Sequence, residues 1–229
     1  MVMEEKSPWN QNHLSMYARY VKRLIDIFFS LIGLTVLSLP LILMACLIRL
    51  DSEGPIFFLQ ERIGQHGKVF RIIKFRTMIV GAEQMGDGLQ IHSFKDQRIT
   101  KVGLVLRRTS LDELPQLINI LKGDMSLVGP RPPVIYSPYP GYAAYPEWAK
   151  KRFLIKPGLT GSAQIKYRNR VEWDQRIAED IRYLETLSFK TDLTLLFKTA
   201  AKFIETEPTQ ELAEEWDEGH QEKDKEVVK

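Results

Sequence analysis

The chain has 229 residues, a net charge of +3 and one cysteine, Cys46. That length holds one domain with a real core, and one cysteine excludes an internal disulfide framework and any multi-cysteine metal site. Charge is uneven: residues 205–229 carry ten Asp/Glu against three Lys/Arg, a net −7 that leaves +10 on residues 1–204, so the basic body points to an anionic partner: nucleic acid, a phosphorylated metabolite or a membrane face.

Residues 1–16 are polar and mixed, lack the apolar run of a signal peptide, and read as a flexible lead-in. From Ile27 to Ile48 there are 22 residues without a charge, enough at about 1.5 Å per residue to cross a roughly 30 Å hydrocarbon layer. A buried helix of a soluble core would have a polar face, whereas Ser30, Thr35 and Ser38 are only mildly polar, so this is a membrane segment. Pro40 removes a backbone hydrogen bond and Ser38 stands close enough to satisfy freed groups, which makes Ser38 and Pro40 the expected break. Arg19, Lys22 and Arg23 precede the segment and Arg49, Arg62, Lys68, Arg71, Lys74 and Arg76 follow it. The positive-inside rule then keeps both ends in the cytoplasm, and a re-entrant helix over residues 17–50 satisfies it where a straight span does not. Asp26 is expected to pair with Lys22 or Arg23, because an unpaired acid at that depth is costly.

Between Pro55 and Phe75, two short apolar runs flank a turn at Gly64 and Gly67 and read as a hairpin, with Lys74 and Arg76 set to face phosphates or lipid headgroups. Residues 81–97 are Gly-rich and polar and read as a mobile loop; its His92 has no second ligand at metal spacing and reads as a surface residue.

Leu106–Gly123, LRRTSLDELPQLINILKG, gathers two adjacent carboxylates, two arginines and a helix start. Ser110 and Glu113 fit a capping box, which leaves Pro115 past the first turn, whereas Asp112 as N-cap brings Pro115 inside it. Either way Asp112 and Glu113 lie at a helix N-terminus, where unpaired amides favour anions. Leu114, Leu117, Ile118 and Leu121 form the expected core face and Gly123 the stop. The bland reading is that the two acids only cap a helix. In GDMSLVGPRPP, Gly129, Pro130 and the following prolines fix a rigid turn that presents Arg131 and backbone amides as an anion cradle. PEWAKKRF, residues 146–153, reads as a short basic helix whose Trp148 and Phe153 suit either a bilayer interface or a half-buried surface. Residues 171–187 and 189–206 read as two helices, the second with Phe189, Leu193, Leu196, Phe197, Ala200, Ala201 and Ile204 on a side that is core or membrane-facing. The acidic residues 207–229 read as a solvated tail.

There is no P-loop, G-x-G-x-x-G, H-E-x-x-H or G-x-S-x-G. Ordered blocks from Lys22 to Thr199 instead carry a resemblance: KRLID, LDSEGPIFFLQERIG, FRIIKFRTM, DQRITKVGLVLRRTSLDELPQLINILKGDMSLVGPRP, KPGLTG, the Arg168-Asn169 pair, and the stretch from Trp173 to Tyr183. The chain resembles the bacterial sugar transferases, the monotopic phosphoglycosyl transferases that act on polyprenol phosphate. The resemblance implies an α/β, mostly helical fold: a compact monotopic enzyme of the bacterial inner membrane, with a Pro-broken re-entrant helix, interfacial amphipathic helices and a cytoplasmic catalytic domain over residues 51–206. It implies that Asp112 attacks the β-phosphorus of a UDP-sugar, with Glu113 assisting and both carboxylates as ligands of Mg²⁺. Arg107 and Arg131 fall where the family has arginines near the diphosphate, Arg168 and Asn169 match its later substrate-site pair, and Asp180 and Asp192 match supporting acids. The partners implied are a UDP-sugar and polyprenol phosphate, without nucleic acid; a homo-oligomer is left open. Two departures stand out: Leu39 separates Ser38 from Pro40, and Ser162 and Tyr167 replace the usual Trp and Gly. The rival reading is a non-catalytic membrane protein that binds polyprenol phosphate or recruits assembly partners.

Overall fold

The computed structural model describes residues 15–85, 96–167 and 171–204, and it is mostly helical with two small sheets. His92, Arg168, Asn169, nearly all of the lead-in and the acidic tail lie outside the described residues.

A π-helical turn, Tyr17–Val21, leads into α1 (Lys22–Val36), which breaks at Leu37 and resumes as α2 (Ser38–Asp51) at 62°. The vertex lies three residues ahead of Pro40, which falls in the first turn of α2, where a missing N–H is tolerated. Ser38 Oγ donates to Thr35 O at 2.8 Å and helps satisfy the carbonyls freed at the break. No single helix among the described residues is long and apolar enough to cross a membrane; the bent pair has the required length and composition.

The burial of α1 is inverted relative to a water-soluble helix. Its inward face carries Lys22, Asp26 and Ser30, all buried, followed by Gly33, whereas Leu24, Phe28, Phe29, Leu31 and Ile32 are exposed. On α2, Met44 and Ile48 pack inward while Leu39, Ile42, Leu43, Leu47 and Leu50 are exposed. Asp26 lies in the field of Lys22 and Arg23, as the sequence suggests, but its hydrogen bonds go elsewhere. Its Oδ1 accepts from Ser126 Oγ at 3.0 Å and Leu127 N at 2.9 Å. Lys22 instead pairs with Asp192, and Arg23 donates to Ile120 O and Leu121 O at the C-terminal end of the central helix. The expense of an acid at that depth is met by the nearby charge of Lys22 first, then by a backbone amide, a hydroxyl and the charge of Arg23.

The hairpin forms as expected: β1 (Phe57–Ile63) pairs antiparallel with β2 (Val69–Phe75). It is followed by α3 (Lys101–Arg108), a 3-10 turn at Leu111–Glu113, and the central helix α4 (Gln116–Lys122), which ends at Gly123 with φ 91°. Neither Ser110 nor Asp112 caps α4; its N-cap is Pro115, with no side-chain bond, and Ser110 turns the chain at φ 52°. The buried face is also rotated from the expected one: Gln116, Leu117, Asn119 and Ile120 are buried, while Leu114, Ile118 and Leu121 are half-buried. Asn119 explains the rotation. Its Oδ1 accepts from Ile73 N at 2.9 Å and its Nδ2 donates to Arg71 O at 2.8 Å, so one side chain completes the open edge of β2. Asn119→Leu should cost about 2–4 kcal/mol, because it strands a donor and an acceptor; denaturant unfolding measures it.

The short strands β3 (Ser126–Val128) and β4 (Gly158–Thr160) pair in parallel. Between them, α5 (Glu147–Lys150) and a 3-10 turn at Lys151–Leu154 carry Trp148, which is exposed, and Phe153, which is 4% exposed among Ile63, Tyr145, Ala149 and Ile177. Phe153 is therefore core, because the 3-10 turn swings it away from Trp148. The chain closes with α6 (Ser162–Tyr167), α7 (Trp173–Glu185) and α8 (Phe189–Ile204). Phe189, Leu193 and Phe197 of α8 are exposed on one stripe, which resolves the open choice against a core role for them.

Candidate active site

Lys74 is the penultimate residue of β2, Arg107 lies in the last turn of α3, Asp112 and Glu113 occupy the 3-10 turn, and Arg131 follows β3. The turn is rigid from beneath, since Leu111 and Leu114 pack on Met44 and Ile48 of α2 together with Phe75 and Leu106. Its carboxylates consequently stay at the surface of that cluster, facing the cations.

Glu113 Oε1 accepts from Lys74 Nζ at 2.6 Å and from Arg131 Nη2 at 3.3 Å. Burial alone would push Glu113 up, but Lys74 and Arg131 outweigh it and hold the acid down at about 2. Burial pulls Lys74 below its ordinary range, against the attraction of Glu113. Asp112 differs: among the described residues no hydrogen bond reaches its carboxylate, and burial pushes its pKa up, with Glu113 adding to the rise and Lys74, Arg107 and Arg131 opposing it. Two neighbouring acids are thus driven apart, one held as a fixed anion and the other left unsatisfied, the pattern expected of a working pair. Arg107 donates Nε to Thr77 Oγ1 at 2.7 Å, which fixes its guanidinium within the field of Asp112.

Other residues expected here do different work. Arg76 is buried and turned away from Lys74; its guanidinium donates to Ser52 O, Ser52 Oγ and Glu53 O, closing the C-terminal end of α2. It is corrected from a phosphate-facing residue to a helix clamp, because β2 ends at Phe75 and strand alternation ends with it. The amide cradle at Gly129 and Pro130 is also corrected. Gly129 N donates to Thr160 O at 2.9 Å, and proline has no N–H, so neither offers an amide to an anion. Gly129 is needed for close approach: a Cβ there would lie 2.5 Å from Lys156 O. Asp180 forms a buried pair with Arg152 at 2.7 Å, and Asp192 joins Lys22, Tyr17 and Tyr183. Both acids tie helices together rather than reaching the dyad. Arg152 and Thr77, which sequence reasoning passes over, support Arg131 and Arg107 respectively. Nothing distinguishes them from ordinary surface residues in the sequence.

The sequence profile of the family described as Bacterial sugar transferase matches residues 17–206, which include every element of this site. The chain belongs to the bacterial sugar transferases. It is similar to the galactosyl transferase CpsE of Streptococcus agalactiae serotype III (strain NEM316), 42% identical over 188 residues, covering 78% of this chain and 41% of CpsE. It is also similar to the "Uncharacterized sugar transferase EpsL" of Bacillus subtilis (strain 168), 40% identical over 192 residues, covering 83% of this chain and 91% of EpsL. A third relative is the UDP-glucose:undecaprenyl-phosphate glucose-1-phosphate transferase of Caulobacter vibrioides, 42% identical over 192 residues, covering 81% of this chain and 70% of that protein. The chain thus spans well under half of CpsE and nearly all of EpsL.

For this sugar transferase, the arrangement bears on metal binding. Among the described residues no three His, Cys, Asp or Glu side chains gather into an all-protein metal cage. Asp112 and Glu113 fit the other mode, in which Mg²⁺ takes one or two carboxylates and completes its shell with water and substrate phosphates.

Proposed function

We propose that this sugar transferase moves a phosphosugar from a UDP-sugar to polyprenol phosphate through a covalent intermediate on Asp112. The observation that carries this reading is the Asp112 carboxylate, without a hydrogen bond among the described residues, beside Lys74, Arg107 and Arg131. In the first step an Asp112 oxygen attacks the β-phosphorus, the bond to the bridging oxygen breaks, and UMP leaves with the electron pair. An oxygen of polyprenol phosphate then attacks the same phosphorus and returns Asp112 as a free carboxylate. A diphosphate repels a carboxylate nucleophile, so attack requires cations already in place, and the three basic side chains provide them without reorganisation. Mg²⁺, held by Asp112 and Glu113, would supply further neutralisation at the diphosphate. Glu113 keeps Lys74 and Arg131 aimed at the same point. The activity named for the Caulobacter vibrioides relative, glucose-1-phosphate transfer from UDP-glucose to undecaprenyl phosphate, supports the substrate classes.

The exposed apolar faces of α1 and α2 support placing the bent pair in the bilayer, entering and leaving on the cytoplasmic side, with both substrates meeting at the turn packed on α2. A cysteine placed ahead of Met16 in a Cys46→Ser background should react only from the cytoplasmic side; labelling from outside would overturn the topology. For the chemistry, purified protein incubated with a panel of UDP-sugars, polyprenol phosphate and Mg²⁺ should release UMP with at least one donor. Release with none would leave only the non-catalytic reading.

The acid limb of the pH–rate profile should lie above the ordinary aspartate range, because Asp112 must be ionised to attack and burial raises its pKa. Lys74→Met, which removes the strongest opposing charge, should move that limb further up; a limb that stays still would show that another group governs it.

A further inference from the structure

The segment that carries Arg131 is held by its main chain to an unusual degree. Four consecutive carbonyls, Pro130 to Pro133, each accept a hydrogen bond from a different source. Gly158 N of β4 reaches Pro130 O at 2.9 Å, and Arg152 Nη2 reaches Arg131 O at 2.8 Å. Arg62 Nη1 reaches Pro132 O at 3.0 Å, and Ile63 N of β1 reaches Pro133 O at 3.0 Å. Two of the four donors are arginine side chains rather than strand amides. Arg152 is 2% exposed and is itself fixed by Asp180 of α7 at 2.7 Å, and Arg62 is fixed on β1 by Gln60 Oε1 at 2.5 Å. Pro130, Pro132 and Pro133 remove the remaining backbone freedom on either side. The Arg131 side chain is 39% exposed and reaches Glu113 at 3.3 Å, so its head has room to move while its root has none.

We infer that Arg152 and Arg62 are positioning residues, which hold the Arg131 main chain from two sides so that its guanidinium meets the diphosphate beside Glu113. The inference rests on the proposed reading of the site and deepens it. Both residues act through Arg131 and touch no reacting atom. Arg152 meets both partners through one nitrogen, Nη2, which lies against Asp180 Oδ2 and donates to Arg131 O. The planar guanidinium fixes the two N–H directions of that nitrogen, whereas a lysine retains the charge on a compact ammonium at the end of a flexible stem.

The test is a double-mutant cycle read by UDP binding in the presence of Mg²⁺, with calorimetry on the full-length protein in detergent. Arg152→Lys should weaken UDP about tenfold when Arg131 is present and less than about twofold in an Arg131→Ala background, while its thermal destabilisation is the same in both. Arg62→Lys, acting on the neighbouring carbonyl from β1 rather than from the 3-10 turn, should show the same dependence on Arg131 and serves where Arg152→Lys fails to fold. Equal losses of UDP affinity with and without Arg131, or folded variants of both residues that bind UDP as the parent does, would overturn the inference while leaving the function intact. A parent protein that neither binds UDP nor releases UMP would overturn the functional reading and this inference with it.

Discussion

Asp112→Asn should lower turnover by at least about 10⁴-fold, the scale on which enzymes lose activity when a nucleophile is removed, and should yield no phosphosugar adduct by intact-protein mass spectrometry. The same variant should unfold at a higher temperature than the parent. The activity falls because the nucleophilic carboxylate is gone, and the stability rises because burial raises the pKa of Asp112, so its ionised form opposes folding at every pH above the ordinary aspartate range. Asparagine has the same shape and no charge to desolvate. A variant that lost activity and stability together would show that the carboxylate serves the fold. Normal turnover would remove Asp112 from the mechanism altogether.

The second large effect concerns stability. Arg152 and Asp180 are 2% exposed each, and breaking this pair by Asp180→Ala should cost about 3–5 kcal/mol, because it leaves an uncompensated guanidinium in the core. The pair is nonetheless not a net source of stability. Burial raises Asp180 from 3.8 to about 6, with Arg152 only partly opposing it. The folded chain therefore holds a proton there between about pH 4 and 6 that the unfolded chain has released, and its contribution falls as pH rises through that window. Urea unfolding of the parent should record that slope, and Asp180→Asn should flatten it. Replacing both partners, Arg152→Met with Asp180→Leu, should cost less than Asp180→Ala alone. If the double variant proved worse than the single, the pair would be stabilising after all.

Local signals in the sequence served the fold well wherever one rule dominated. Gly64 and Gly67 marked the hairpin, Gly123 the end of α4, and the apolar spacing of residues 171–187 and 189–206 gave α7 and α8 nearly to their ends. The same rules failed where a polar side chain took a core position for a backbone reason. Asn119 turned α4 away from the face that Leu114, Ile118 and Leu121 suggest, since completing the edge of β2 outweighs burying one more leucine. Arg76 and Lys74 look alike in FRIIKFRTM, and only the unfilled carbonyls at the end of α2 separate them. At the site, Asp112, Glu113 and Arg131 were legible as an acidic turn and a basic loop close in sequence. Lys74 could be named from its charge, but its contact with Glu113 depends on how β2 lies against the turn. Arg152 had no local signal because its role is to reach a carbonyl 21 residues away.

The inward face of α1 sets a limit on how this protein can vary. Asp26 grips β3 through Leu127, and seven residues on, Gly33 sits against Leu117 of α4, where a Cβ would lie 3.1 Å from the leucine. Inserting one residue between them would rotate one contact by about 100° relative to the other, and both could not be kept. Length between Asp26 and Gly33 is thus locked by β3, which leads to Arg131, and by α4, which follows the dyad. Under the proposed placement of the bent pair in a bilayer, adaptation to a thicker or thinner membrane falls to the limb beyond Leu37, where Leu39, Ile42, Leu43, Leu47 and Leu50 are exposed.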